Sequence, residues 1–325
     1  MYKRKHLIND LKENDKIEDI FVVKIKKGIS PYVNGYYFHL LLSDHTGKTI
    51  DYKYWGDDNE EKIKEIYNSI KPDSVVLVQG KVQLHGGKLQ ISTNPPDTIR
   101  VLKEWEYDPE DFIMPPRRDL EEMVRELHDY VESIQNPEVK RLLTHIFIEN
   151  KDILEKFKVH PGAIEIHHNW KGGLLQHTLE VAKFCDTAKK MFEDLDRDIL
   201  IAGALLHDIG KLDEIKTTTR IKGTITGQLQ GHIALGFHML SNIVKKLGIN
   251  EEISNKILHI ILSHHGWQSF GSPKEPMFPE AMVVYYADEM SSKIAELIEF
   301  KKSSLESTED DFMYNKRHRR NIYLK

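Results

Sequence analysis

The chain has 325 residues, 40% hydrophobic and 30% charged, with a formal net charge of −5 and a single cysteine. That composition is ordinary for a soluble protein with room for two domains, and Cys185 alone excludes an internal disulfide and a Cys-based zinc site, which fits a reducing, cytoplasmic setting. No apolar segment follows the basic N-terminus and no run reaches the roughly 18 apolar residues of a spanning helix, so neither a signal peptide nor a membrane partner is expected.

The first hundred residues read as strands with turn punctuation. Strands are expected at 19–26, 36–42 and 49–55, then a charged helix at 59–70, then strands at 74–84 and 88–92 joined by His85-Gly86-Gly87. Three strands, a helix and a closing hairpin make the order of a five-stranded OB-fold barrel over 1–103, a common binder of single-stranded nucleic acid. Aromatics (Tyr32, Tyr37, Tyr52, Tyr54, Trp55) interleave with lysines such as Lys24 and Lys53. Period-two alternation puts Ile50, Tyr52 and Tyr54 on one face, the core, and Lys53 and Trp55 on the other, where bases could stack. The charge is +3 over residues 1–103 and −8 over the rest, suiting a nucleic-acid-touching module joined to a metal-holding one.

Residues 104–118, acidic and rich in proline, read as a linker. Beyond it the pattern turns helical, with helices expected at 119–134, 137–150, 173–192, 197–208, 231–247, 251–264 and 279–300. Asn136 before Pro137, and Asn250, are expected N-caps. The tail 301–325 carries the basic run Lys316-Arg-His-Arg-Arg320, read as a solvated end, with contact to phosphate as the alternative. The fold class is thus multidomain β + α, a barrel followed by an all-α domain.

One stretch organises the second half. Ile199, Leu200, Ala202, Leu205 and Leu206 form an apolar helical run that delivers His207 and Asp208 side by side. Gly210 is expected to take the left-handed conformation that ends a helix, so that Lys211 leaves close by as a cation for an anionic substrate. A second pair, His128-Asp129, lies in a charged helix without a following Gly-Lys and reads as a solvated face. His177, His207, Asp208, His232, His264, His265 and Asp288 all lie within or beside apolar helical runs, where a lone polar side chain is costly. A single buried histidine is usually a hydrogen-bonded core residue; this many facing one core are hard to satisfy except with metal. Neutral imidazoles plus carboxylates suit Mn²⁺, Fe²⁺, Co²⁺, Ni²⁺ or Zn²⁺. Two ions bridged by Asp208, about 3.5–4 Å apart, would polarise a phosphate and acidify a water.

The series His177 … His207-Asp208 … Asp288 resembles the HD superfamily of metal-dependent phosphohydrolases. The wider set is similar to the YhaM-type 3′→5′ exoribonucleases, which pair an N-terminal OB-fold with an HD domain. It comprises His167-His-Asn-Trp-Lys-Gly-Gly-Leu-Leu-Gln-His177, Leu206-His-Asp-Ile-Gly-Lys211, Gly231-His-Ile, Leu262-Ser-His-His-Gly266 and Gly271-Ser-Pro-Lys-Glu-Pro276. The motifs run from about 160 to 293; before 104 the likeness is architectural. It implies an HD-type domain over 119–300 that hydrolyses single-stranded RNA, with single-stranded DNA left open, to nucleoside 5′-monophosphates by a two-metal hydroxide attack. The metals implied are Mn²⁺ or Co²⁺, with Fe²⁺, Ni²⁺, Zn²⁺ or Mg²⁺ as alternatives. His177, His207, Asp208 and Asp288 would hold the first ion; Asp208, His232 and His264 the second. Asp208, Lys211 and His265 would form the catalytic group, with Lys211 on the scissile phosphate and His265 a ligand, a partner to a ligand or a proton donor. His168 and Lys171 could face the substrate, with solvated or packing roles as alternatives, and Lys53 and Trp55, from the alternation above, are the candidate substrate contacts of the front domain. After His264-His265 comes Gly-Trp-Gln-Ser-Phe, which departs from the Glu and Gly-Tyr-Pro pattern of cyclic-di-GMP phosphodiesterases. Two other readings compete: an HD enzyme acting on mononucleotides or cyclic nucleotides, and a non-catalytic nucleic-acid-binding factor.

Overall fold

A computed structural model describes residues 1–165, 167–305 and 308–325, so positions 306–307 of the tail and position 166 lie outside the described residues. The chain divides into one unit made of Met1–Met114 with Thr218–Arg220, and a second made of Pro115–Thr217 with Ile221–Lys325.

The front unit is built on β1 (Lys16–Tyr32), β2 (Gly35–Ser43), β3 (Thr49–Trp55), α1 (Glu60–Ser69), β4 (Val75–His85), β5 (Lys88–Thr93) and β6 (Ile99–Val101). β1 is far longer than the expected 19–26 because one strand serves two partners. Its first half pairs antiparallel with β4, from Lys16↔Lys81 to Val22↔Val75, and its second half with β2. Register shifts at Val23/Ile25 and Lys26/Ile29 mark the irregularities that bend it between them. β3 runs parallel to β5, and the order is β1-β2-β3-β5-β4-β6. The sheet is OB-like but has six strands among the described residues, not the five expected; three-residue β6, just past Pro95-Pro96, is too short to show a period. Alternation decides the faces as read: Ile50, Tyr52 and Tyr54 join Phe21, Phe38, Leu40, Val78 and Ile91 in the core, while Lys53 and Trp55 stay half-exposed. Residues 104–114, expected as linker, bury Tyr107 and Phe112 against Ile20, Val22, Val75 and Leu102.

The second unit contains α2 (Leu120–Glu132), α3 (Pro137–Thr144), α4 (Lys151–Val159), α5 (Gly173–Met191), α6 (Arg197–Leu206), α7 (Lys211–Glu214), α8 (Ile225–Leu247), α9 (Glu251–Ser263) and α10 (Pro279–Leu305). The expected caps are present: Asn136 accepts from Val139 N, and Asn250 from Glu252 N. Asn150 likewise caps α4. The expected helix 137–150 ends earlier, in a π-helical turn at His145–Glu149. Every residue of α6 from Ile199 to Leu206 is buried, as its unbroken apolar run requires, and α5, α9 and α10 pack around it. The domain is not purely helical. Short hairpins form from β7 (Ile215–Thr217) with β8 (Ile221–Gly223), and from β9 (Phe312–Asn315) with β10 (Arg320–Tyr323). The second lies in the tail expected to be a solvated end, where Leu324 is instead fully buried. No described helix is long and apolar enough to cross a membrane.

Candidate metal centre

His207 and Asp208 follow α6 in a tight turn that runs into α7. Gly210 is right-handed there (φ −65°, ψ −15°), not left-handed as expected. Its necessity is steric instead. A Cβ at Gly210 would lie 2.0 Å from His232 O and 2.5 Å from Gly236 N, so the absent side chain lets α8 press onto the turn and brings His232 to Asp208. α8 starts at Ile225 rather than at 231, but its helical geometry breaks at Gly231 (φ 74°), immediately before His232. His177 lies on the second turn of α5. There Gly173 packs on His168 O, where a Cβ would stand 1.9 Å away, and His168 itself is held left-handed (φ 54°). His264 and His265 end α9, and Asp288 sits mid-way along α10.

These groups converge. His177 Nε2 lies 3.1 Å from Asp288 Oδ1, 3.5 Å from Asp208 Oδ2 and 3.2 Å from His207 Nε2. On the other side of Asp208, His232 Nε2 and His264 Nε2 are 3.5 and 3.7 Å from Oδ1. Lys211 Nζ is 2.6 Å from Asp208 Oδ2. The His265 ring centroid lies 5.0 Å from that of His232 and 4.5 Å from that of His264. Donor atoms of His177, His207 and Asp208 all lie within 4.8 Å of one another, as do those of His232, His264 and His265. Each trio could hold an ion.

The protonation pattern argues that a cation belongs here. The Nδ1 atoms of His207 and His264 face backbone carbonyls, Ala204 O at 2.8 Å and Ile261 O at 2.7 Å, which only accept. His232 Nδ1 faces the Glu214 carboxylate at 3.1 Å. His177 Nδ1 meets Ser291 Oγ at 3.0 Å, and that hydroxyl donates onward to Glu180 at 2.7 Å. With the proton on Nδ1 in each ring, all four Nε2 lone pairs point at carboxylates and at one another. His232 Nε2 and His264 Nε2 are buried and have no hydrogen-bond partner. An unsatisfied buried acceptor costs about 1–3 kcal/mol, and several side by side cost more, whereas a divalent ion would satisfy them together. The residues present fit such ions.

The carboxylates dominate the electrostatics and draw positive charge to the cluster. Burial keeps His177 and His264 below the usual imidazole range. Burial also presses on His207, but the Asp208 charge outweighs it and raises the pKa. Burial opposes ionisation of Asp208, yet Lys211 and His207 hold it well below the carboxylate range; Asp288 is depressed by His177. Asp208 in turn raises Lys211 against the cost of burial. Two carboxylates, Asp208 buried and Asp288 13% exposed at the cavity, face one ammonium and leave negative charge in excess, which metal would neutralise.

A cavity of about 760 Å³ opens over the cluster, lined among others by His167, Lys211, His232, His265 and Asp288. His168, expected as a substrate contact, is 1% exposed and bonded to Glu180 at 3.0 Å, so it braces the site from behind while its neighbour His167 faces the cavity. Lys171 is not among the described lining residues. Lys53 and Trp55 belong to the other unit, where the Trp55 ring lies 4.9 Å from both Tyr32 and Tyr37 and Lys53 Nζ is 5.4 Å from its centroid. Sequence reasoning passed over Glu214, Glu180 and Ser291. Glu180 lies three residues after His177 and Ser291 three after Asp288, a spacing that puts each on the face of its helix next to the residue that enters the cluster.

The HD domain family matches residues 174–293. Helices, cluster and match together define a metal-dependent phosphohydrolase of the HD superfamily. A curated relative, the 3'-5' exoribonuclease YhaM of Geobacillus sp. (strain WCH70), is 31% identical over 277 residues, covering 85% of this chain and 81% of its own. The chain therefore belongs to the YhaM 3'-5' exoribonuclease family. Among solved structures, the second OB-fold domain of replication protein A from Methanococcus maripaludis covers 30% of this chain and 95% of its own (22% identity, TM-score 0.25). The HD domain of the L. monocytogenes phosphodiesterase PgpH covers 47% of this chain and 80% of its own (15% identity, TM-score 0.30).

Proposed function

We propose that the protein is a metal-dependent 3′→5′ exoribonuclease that shortens single-stranded RNA, and single-stranded DNA if its sugar contacts allow, to nucleoside 5′-monophosphates in the cytoplasm. The observation that carries this is the meeting of four imidazole Nε2 atoms and two carboxylates around Asp208, beside a lysine, in an open cavity. The name of the Geobacillus relative supports the exonuclease form of the reaction. In this reading residues 1–103 gather the strand and 119–300 cut it.

His177, His207, Asp208 and Asp288 would hold one ion, and Asp208, His232 and His264 the other, with Mn²⁺ or Co²⁺ best suited. Two such ions, when bound, would polarise the scissile phosphate and acidify the attacking water. Lys211, kept protonated by Asp208, is suited to the charge that builds on the phosphoryl oxygens. His265 is pushed by burial down to about 3, so at neutral pH its ring is neutral and suited to ligation or to accepting a proton rather than to donating one. Glu214 fixes the His232 ring; Glu180, through Ser291, fixes His177.

A time course on 5′-labelled single-stranded RNA with added Mn²⁺ tests the proposal. A ladder receding one nucleotide at a time from the 3′ end, with 5′-monophosphates released, is expected. Internal cuts, or turnover of mononucleotides and cyclic nucleotides alone, would replace it with the rival HD activity.

A further inference from the structure

The cavity has a second feature that the metal cluster does not use. On the wall beyond Asp288 stand two cations, Lys293 from α10 and Arg317 from the turn between β9 and β10, and at the mouth stands Phe270. Lys293 lies five residues after Asp288, about 7.5 Å further along the helix axis. Among the described residues its ammonium makes no ion pair or hydrogen bond. Arg317 is fixed in advance. Its backbone N and that of His318 both donate to Asn315 Oδ1 at 2.9 Å, and both side chains lie 3.4 Å from Glu296, which is 6% exposed. The Arg317 side chain nonetheless stays 48% exposed. Phe270 ends a short turn closed by Gly271 (φ 97°) and leaves 61% of its surface to solvent, although it lines a cavity. Glu165 and Glu289 on the same walls would repel a polyanion, so these two cations decide whether a further phosphate is tolerated.

We infer that Lys293 and Arg317 bind the backbone phosphate next to the scissile one, and that Phe270 stacks on a base at the cavity mouth. This rests on the exonuclease reading, and its direction follows from that chemistry. The 3′-terminal nucleotide departs with the scissile phosphate on its own 5′ oxygen and carries no phosphate beyond it. Any second phosphate in the cavity therefore belongs to the nucleotide upstream. The subsite is one that a mononucleotide cannot fill, and it selects a strand end over a free nucleotide. A cation can take the phosphate of any sequence and a ring the face of any base, so the selection is for single strands rather than for particular bases.

The test compares the parent with Lys293→Gln, Arg317→Gln and Phe270→Ala on a single-stranded RNA decamer and on bis(p-nitrophenyl) phosphate, which has one phosphate. Each variant is expected to lower the ratio of kcat/KM for decamer over small diester about tenfold, mainly through KM. For the two cation variants the slope of log kcat/KM for the decamer against log salt, measured on the metal-loaded protein, should also flatten by about 0.7. Lys293→Gln removes an unpartnered, half-buried side chain and guards against loss of the hairpin in Arg317→Gln. Ratios and salt slopes equal to the parent's would overturn the subsite while leaving the exonuclease in place. A parent that cleaves the small diester but never shortens the decamer would remove the exonuclease reading itself, and the subsite with it.

Discussion

Lys211 Nζ sits 2.6 Å from Asp208 Oδ2, one helical turn on and across Gly210, with the carboxylate buried and the lysine side chain 13% exposed to the cavity. A buried pair of this kind returns little net stability, because desolvation offsets most of the attraction, yet removing one partner leaves the other charge stranded. Its value here is chemical: a protonated amine is fixed beside the carboxylate that the imidazoles of both groups approach. Lys211→Met should lower turnover by about 10²-fold, or about 2.7 kcal/mol of transition-state stabilisation, while bound metal measured by plasma mass spectrometry stays at the parent's level. Turnover near that of the parent would make Lys211 a structural counter-ion only.

Gly210 has a different dependence. Alanine there would force its methyl against His232 O, so α8 must move or the turn must open. Overpacking of this sort costs about 1–3 kcal/mol, and the displaced His232 should weaken metal binding as well. Gly210→Ala is expected to lower both Tm and metal affinity; Gly248→Ala, where a Cβ meets nothing within 4 Å, should leave the metal affinity alone. Equal metal affinity in Gly210→Ala and the parent would remove the close-approach argument.

Gly210 also marks what the sequence could and could not reveal. His177, His207, His264 and Asp288 stood out because each interrupts an apolar helical run, and a polar group there must be satisfied by something. The need for Gly210 was legible but its cause was not, since left-handed helix ends and close helix approaches demand the same residue. Glu214 escaped notice because a carboxylate in a charged stretch reads as solvated; Glu180 lies between Leu179 and Val181, and its i, i+3 spacing from His177 was the signal that could have set it apart. The tail was misjudged for a related reason. Its basic turn dominates the composition, while the short apolar runs that pair across it, Phe312-Met313-Tyr314 and Ile322-Tyr323, span too few residues to show a strand period.

Glu180 gives a pH prediction. Burial alone would raise its pKa, but the hydrogen bonds from His168, Ser291 and Gln176 hold it down to about 2. A folded-state pKa below the unfolded value of about 4.3 contributes stability above that value, and the contribution is lost as pH falls through it toward 2. Glu180→Gln should therefore flatten the fall in denaturant midpoint between about pH 4.5 and pH 2. The same acid dependence in variant and parent would contradict the assignment.

In the front unit, neighbouring rings should part company. Trp55 is half-exposed beside Tyr32, Tyr37 and Lys53, so Trp55→Ala should weaken single-strand binding by about 1–3 kcal/mol with little change in Tm. Tyr52, three residues earlier and fully buried, should instead cost about 3–5 kcal/mol of stability on replacement by alanine. Anisotropy titration and thermal unfolding of both variants separate the roles; matching profiles would undo the facing derived from alternation.

Imidazoles and carboxylates scattered over more than a hundred positions must act as one metal centre if the protein is to cut phosphodiesters in this way. Metal content of protein purified without chelator, parent beside Asp208→Asn, tests that most directly. About two divalent ions per chain are expected in the parent, with both sharply reduced in a variant whose circular dichroism is unchanged. Equal metal in the two proteins, or none in the parent even after exposure to Mn²⁺, would contradict it.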